Sequence, residues 1–316
     1  MSRADMNRRP HLEPRAPFTR QQALRAGLTD RDLRGPAFTQ LYWGVYIAAS
    51  VEVTLVVRAL AALMVVPSGS VVSHHSAARL WGGAPPESGE VHVTVAGGVR
   101  QKTRGIRPHR VKVLPPTVTR HGLRTTSPEQ TWLDMAGCCD LVQLVTLGDS
   151  LVRAGSTTPA RLVATVPGGG GKRLRLARRA AGLVREKVDS PMESRLRLLF
   201  VLAGLPEPVV NFDVVDAGGH SRYRLDLSFP AQLLAFEFEG RQHVDVVDQW
   251  ESDIVRREDL EAEGWRFVLV TSSKLYAAPA DVLARILAAM VDRGVPVPRR
   301  VRSEWRRFFV GASDIR

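Results

Sequence analysis

The 316-residue chain carries 44 Lys and Arg against 32 Asp and Glu, a formal charge of +12 with a pI near 10.7. That is length enough for two or three domains with their own cores, and the basic excess favours a polyanionic partner over an acidic one. The only cysteines, Cys138 and Cys139, are adjacent, which fits neither zinc-ligand spacing nor a disulfide framework and points to a reducing compartment. The longest apolar run, residues 55–66, is too short to cross a bilayer and contains Arg58, and residues 1–17 lack the apolar core of a signal peptide. A cytoplasmic protein without a membrane partner is expected.

The charge is unevenly placed. Residues 1–188 hold 27 basic and 12 acidic side chains, net +15, whereas residues 189–316 hold 17 and 20, net −3. A basic module that holds nucleic acid, joined to an acidic module that holds a metal, has this division.

Residues 1–17 read as a flexible arm. Thr19 with Gln22, and Thr29 with Asp32, have the spacing of two capping boxes, so two short helices are expected, stopped by Gly27 and by Gly35-Pro36. Residues 38–48, FTQLYWGVYIA, read as two strands around Gly44, giving a winged-helix outline over residues 18–50. Arg20, Arg31 and Arg34 are candidate phosphate contacts.

Residues 51–166 read as a mixed α/β middle region. It opens with two helices over 54–81, the first apolar nearly all round and therefore expected to be buried. His74-His75 reads as a pair of core or capping histidines, because no acidic or Cys partner lies nearby in sequence. After a strand at Val91–Val95, residues 100–113 form a basic loop and strand in which Arg104, Arg107 and Arg110 could track a phosphate backbone or face solvent. Residues 167–189 combine a Gly-rich linker with a basic helix; the glycines lack the flanking residues of a phosphate loop.

Between residues 190 and 292 the pattern sharpens. Ser190-Pro191-Met192-Glu193 has a capping box and a proline at the first helical position. Tyr223, Leu225, Leu227 and Phe229 alternate with polar residues, as do Leu234, Phe236 and Phe238 beyond a Pro230 turn. An antiparallel hairpin in which facing residue numbers sum to about 463 sets Asp226 opposite Glu237, with Glu239 next on the same face. Three carboxylates so placed repel one another unless a hard cation such as Mg²⁺ or Mn²⁺ joins them, or arginines pair with them. Residues 250–263 read as a helix in which Asp253 can pair with Arg256 or Arg257, unless Arg256 reaches the scissile phosphate, followed by a strand at 265–271 and a covering helix at 279–291. Residues 293–316 form a basic, aromatic tail that could bind nucleic acid or dock on the protein.

Two resemblances accompany these patterns. Residues 18–23 (FTRQQA), Gly27-Leu28 and residues 42–46 (YWGVY) make the N-terminus resemble the AbiEi-type antitoxins, winged-helix repressors of type IV toxin–antitoxin systems. The segment from Ser190 to Met290, with Glu237-Phe238-Glu239-Gly240-Arg241-Gln242-His243 at its centre, resembles the Vsr-like branch of the PD-(D/E)xK nucleases. That resemblance implies a restriction-endonuclease-like fold with a mixed sheet, and a Mg²⁺-dependent catalytic set of Asp226, Glu237, Glu239, His243 and Glu193. The lysine common at the Glu239 position is absent. An endonuclease with a DNA-binding N-terminus is therefore expected. The alternative is a DNA-binding regulator with a toxin partner and a catalytically silent nuclease fold.

Overall fold

Thr19 and Thr29 each begin a helix in the computed structural model, which describes residues 15–97, 103–216, 218–239 and 256–310. Both capping boxes form: the Thr side chain accepts from the third helical N–H, and Gln22 or Asp32 reaches back to the cap. The helices are α1 (Arg20–Arg25) and α2 (Asp30–Leu33), flanked by β1 (Phe18–Thr19), β2 (Phe38–Tyr42) and β3 (Val45–Ala48) in a sheet of order β1-β3-β2. At four residues, α2 is too short to present the usual reading face of a recognition helix.

The chain divides into two compact units, Met1–Cys138 with Ala160–Leu174, and Cys139–Pro159 with Arg175–Arg316. In the first, α3 (Leu55–Val65) and α4 (His74–Leu80) pack on a sheet of order β6-β5-β4-β8-β7, formed by β4 (Val71–Val72), β5 (Val91–Ala96), β6 (Ile106–Val111), β7 (Thr117–Arg120) and β8 (Leu123–Thr126). The helices α5 (Pro128–Met135) and α7 (Pro159–Thr165) follow. Contrary to the expected full burial, α3 hides Ala59, Ala61 and Ala62 while its larger Leu and Val side chains are half-buried. A stripe of alanines lets the helix lie close to the sheet, and its bulkier residues fill the margins. The basic strand β6 runs parallel to β5, Val91 beside Ile106.

The same pairing brings together histidines far apart in sequence. His92 Nδ1 lies 2.9 Å from His109 Nε2, the His74 and His109 rings stack with centroids 3.4 Å apart, and His75 lies 4.3 Å from His92. Burial, followed by the neighbouring imidazoles, lowers His74 to about 2 and His92 to about 3; burial, then the Arg107 charge, lowers His109 to about 4. The unfolded chain therefore binds protons that the folded cluster refuses. Stability supplied by the neutral cluster is complete above about pH 6.5 and is lost as pH falls through the folded values. Thermal melts of the full chain should show the first unit losing stability below about pH 6.5, and NMR should find the His74 and His92 rings uncharged at about pH 5.

The second unit is built on a four-stranded mixed sheet. Strands β9 (Val209–Val215), β10 (Ser221–Phe229) and β11 (Leu234–Glu239) form an antiparallel meander, and β12 (Arg266–Thr271) joins parallel to β11, giving the order β12-β11-β10-β9. The helices α6 (Leu141–Arg153), α8 (Lys172–Leu183), α9 (Pro191–Ala203), α10 (256–262), α11 (Ser272–Ala277) and α12 (Pro279–Asp292) accompany it. Phe200 of α9 meets Phe236 of β11 edge to face at 4.9 Å, and Phe229 lies beside both. Each such buried ring contributes about 1.5–3 kcal/mol. The helix α6, whose sequence falls in the expected middle region, belongs to the second unit and packs on α9.

Of the two roles open to the C-terminal tail, the described residues show docking. Trp305 and Phe309 are buried, Arg302 N donates to Ala203 O, Arg179 pairs with Glu304, and Arg195 is set between the Tyr276 and Phe309 rings.

Candidate active site

The β10–β11 ladder positions the acidic residues. Its pairs are Phe229 with Leu234, Ser228 with Ala235 and Leu227 with Phe236, the register expected from the sum of 463. The next pair in that register is Asp226 with Glu237, where the ladder stops and side chains replace it. Asp226 Oδ2 accepts from Phe238 N at 2.9 Å, and Arg256, the first residue of described α10, donates to Arg224 O at 3.0 Å. The same guanidinium binds Glu237 Oε1. Polar groups thus satisfy backbone atoms that the parting strands leave behind.

Glu193 approaches from α9. Ser190 Oγ caps the helix by accepting from Glu193 N at 3.1 Å. The expected reciprocal bond to Ser190 N is not the one formed. Glu193 Oε2 accepts from Asp189 N at 3.0 Å and from Asn211 Nδ2 at 3.3 Å, so the carboxyl ties the helix start to β9. It is only 6% exposed, and burial, followed by the Asp226 charge, raises its pKa. Burial likewise raises Asp226, against the hydrogen bond from Phe238. Two desolvated carboxyls, one of which raises the proton affinity of the other, form the electrostatic centre of the site.

Glu239 stands two residues beyond Glu237 on β11, half exposed, with Arg257 at 3.6 Å. The acids are thus gathered at one end of the sheet, with arginines among them. Arg256, expected to pair within its own helix or to reach a phosphate, binds Glu237 on β11. His243 lies outside the described residues. Asp189, which pairs with Arg224 and donates its N–H to Glu193, was not picked out from sequence because its importance depends on the fold.

As a donor set, Asp226, Glu237, Glu239 and Glu193 offer hard carboxylate oxygens suited to Mg²⁺ or Mn²⁺. As arranged, Arg256 and Arg257 neutralise two of them, and no three His, Cys, Asp or Glu side chains among the described residues stand as ligands around one point.

The candidate nucleic-acid residues are distributed through the first unit, apart from Arg256. Arg20 makes a two-pronged pair with Asp30 across α1 and α2, at 2.6 and 2.5 Å, and so serves the local fold. Arg31 and Arg34 flank Leu33 at the surface of α2. Arg104, Arg107 and Arg110 are exposed before and along β6, with Glu90 3.9 Å from Arg107.

No family model matches the chain. Two curated proteins of Mycobacterium tuberculosis, uncharacterized protein MT2308 and uncharacterized protein Rv2248, are each 27% identical over 279 residues, spanning 87% of this chain and 98% of their own. The similarity therefore extends across both units. Among solved structures, the RV2827C protein from Mycobacterium tuberculosis aligns with a TM-score of 0.38 and 16% identity, over 66% of this chain and 85% of that one. No helix of the described residues is long and apolar enough to cross a membrane.

Proposed function

We propose that the protein is a divalent-cation-dependent endonuclease acting on DNA, with the first unit as its DNA-binding module. The observation that supports this reading is the Asp226 carboxylate where β10 and β11 part, bonded to Phe238 N between Glu237 and Glu239 in the chain and raising the proton affinity of the buried Glu193. The order helix, three-stranded meander, helix and parallel fourth strand is also what a restriction-endonuclease-like core of the Vsr-like kind implies. Mg²⁺ or Mn²⁺ at the carboxylates would supply an activated water and shield charge developing on the phosphodiester. Asp226 orients the β11 backbone through Phe238 N and offers its carboxylate to the ion. Glu237 and Glu239 complete the acidic edge, and Glu193 holds the α9 start against β9. Arg256, released from Glu237, is within the site to take a phosphate oxygen. Purified protein with supercoiled DNA and Mg²⁺ or Mn²⁺ should convert it to the nicked form, EDTA should stop this, and Asp226→Ala should not nick. Nicking that persists unchanged in EDTA or in Asp226→Ala would refute the reading.

The Arg256–Glu237 pair favours a second reading. An arginine already bound to the central acid suits a silent nuclease fold retained as a scaffold, in a winged-helix regulator related to the AbiEi-type antitoxins and partnered by a toxin. That reading expects a mobility shift on the DNA upstream of the protein's own reading frame, without cleavage, and no shift at low salt would count against it.

A further inference from the structure

The β2–β3 hairpin turns through Trp43 and Gly44, and Gly44 takes a left-handed φ of 73°, which a residue without a Cβ adopts at no steric cost. The turn leaves Trp43 89% exposed. An indole is the largest apolar side chain, and nothing in the local fold requires it there.

Beside Trp43 lies an open groove of about 670 Å³, bordered also by Gln40, Tyr42, Val53, Arg58 and Arg104. Its described lining includes two arginines and no Asp or Glu. Arg58 Nη2 is fixed by Gly89 O at 2.8 Å, which aims the guanidinium, while Arg104 is exposed and makes no ion pair among the described residues. The loop that carries Arg104 is held close: a Cβ on Gly105 would stand 3.5 Å from the Tyr42 ring. Tyr42 is 7% exposed, and its hydroxyl lies beside the Arg58 guanidinium, which lowers its pKa against the larger raising effect of burial.

We infer that this groove binds one unpaired nucleobase and its phosphate, with the base stacked on Trp43 and the phosphate held by Arg104 and Arg58. Bases within a duplex already stack on one another, so an indole offering its face can meet only a base out of the stack: in a single strand, a bulge or a flipped position. Charge complementarity selects a nucleic-acid strand over an acidic protein surface, because the indole then gains a π-partner and the arginines a phosphate. The inference deepens the DNA-binding half of the proposed function and does not depend on hydrolysis.

The test uses the full chain in EDTA, so that cleavage plays no part. Labelled single strands of DNA and of RNA, an intact duplex, and the same duplex with one bulged nucleotide are titrated against the parent, Trp43→Ala and Arg104→Ala. Single strands and the bulged duplex should quench a tryptophan emission that is missing from Trp43→Ala. That variant should bind them at least about tenfold more weakly while its affinity for the intact duplex changes much less. Arg104→Ala should lower the salt dependence by about one phosphate contact. Comparison of the DNA and RNA strands identifies which sugar the groove accepts. Unchanged single-strand affinity in Trp43→Ala, or equal losses for duplex and single strand, would overturn the assignment. So would no binding by the parent at low salt, which would leave Trp43 as a protein-docking side chain. Because the nuclease reading is judged by nicking in Mg²⁺, either can fail while the other stands.

Discussion

Asp226→Ala is expected to lower DNA nicking by at least about a hundredfold, since a metal-bound carboxylate supports several kcal/mol of transition-state charge stabilisation and each 1.36 kcal/mol is a factor of ten. The variant should remain folded. Asp226 is a carboxylate whose burial already raises its pKa, so deleting the charge also removes a desolvation penalty. What the fold loses is the acceptor for Phe238 N, a cost of about 1–3 kcal/mol. Asp226→Asn separates the two effects, because the amide oxygen can still accept from Phe238 N while the negative charge is gone. Nicking rates with Mg²⁺, read beside thermal melts, should find Asp226→Asn near the parent in stability and near Asp226→Ala in activity. Parental nicking by Asp226→Asn would remove the carboxylate from any metal role.

Arg197→Ala is expected to destabilise the second unit by about 3–5 kcal/mol. Arg197 has no exposed surface and forks to three acceptors: Asp149 at 3.0 Å, Glu207 at 2.7 Å and the Leu183 carbonyl at 2.9 Å. Asp149, equally buried, also accepts from Arg185 N and Ser194 Oγ. Removing the guanidinium leaves that carboxylate in the interior without its countercharge. Arg197→Lys should recover only part of the loss, because a single ammonium cannot reproduce the planar fork. The midpoint of the second unit's urea transition measures both variants, and a change below about 1 kcal/mol for Arg197→Ala would place the pair among interactions that do not hold the fold.

Much of the local structure was legible in the sequence because local chemistry determines it. Threonine caps with Gln22 and Asp32, the Gly44 turn, and the alternation around Pro230 all depend on residues a few positions apart, and each element forms where expected. The hairpin register followed from the turn centre, and the three ladder pairs each sum to 463. What the sequence did not disclose depends on contacts between distant segments. His74-His75 offered no partner along the chain, yet parallel pairing of β5 with β6 carries His92 and His109 to them. Helical spacing gave Arg256 a local partner, but a guanidinium at the start of α10 also reaches a strand carbonyl and Glu237. Glu193 looked like half of a capping box; Asn211, eighteen residues later, competes for its carboxylate. An apolar α3 implied full burial, whereas the number of sides a helix buries is set by how many elements cover it.

The interleaving of the two units has a consequence for synthesis. The segment that includes α6 belongs to the later-finished unit, while Ala160–Leu174 returns to the earlier one. Leu141, Leu144, Leu147 and Leu151 are buried in the finished chain, but α9, against which their helix packs, is translated some tens of residues afterwards. At about 5–20 residues per second, the ribosome leaves that leucine stripe waiting for a few seconds. A nascent chain stalled in this interval presents a sticky helix between one unit almost complete and another hardly begun, which is when a chaperone has most to do.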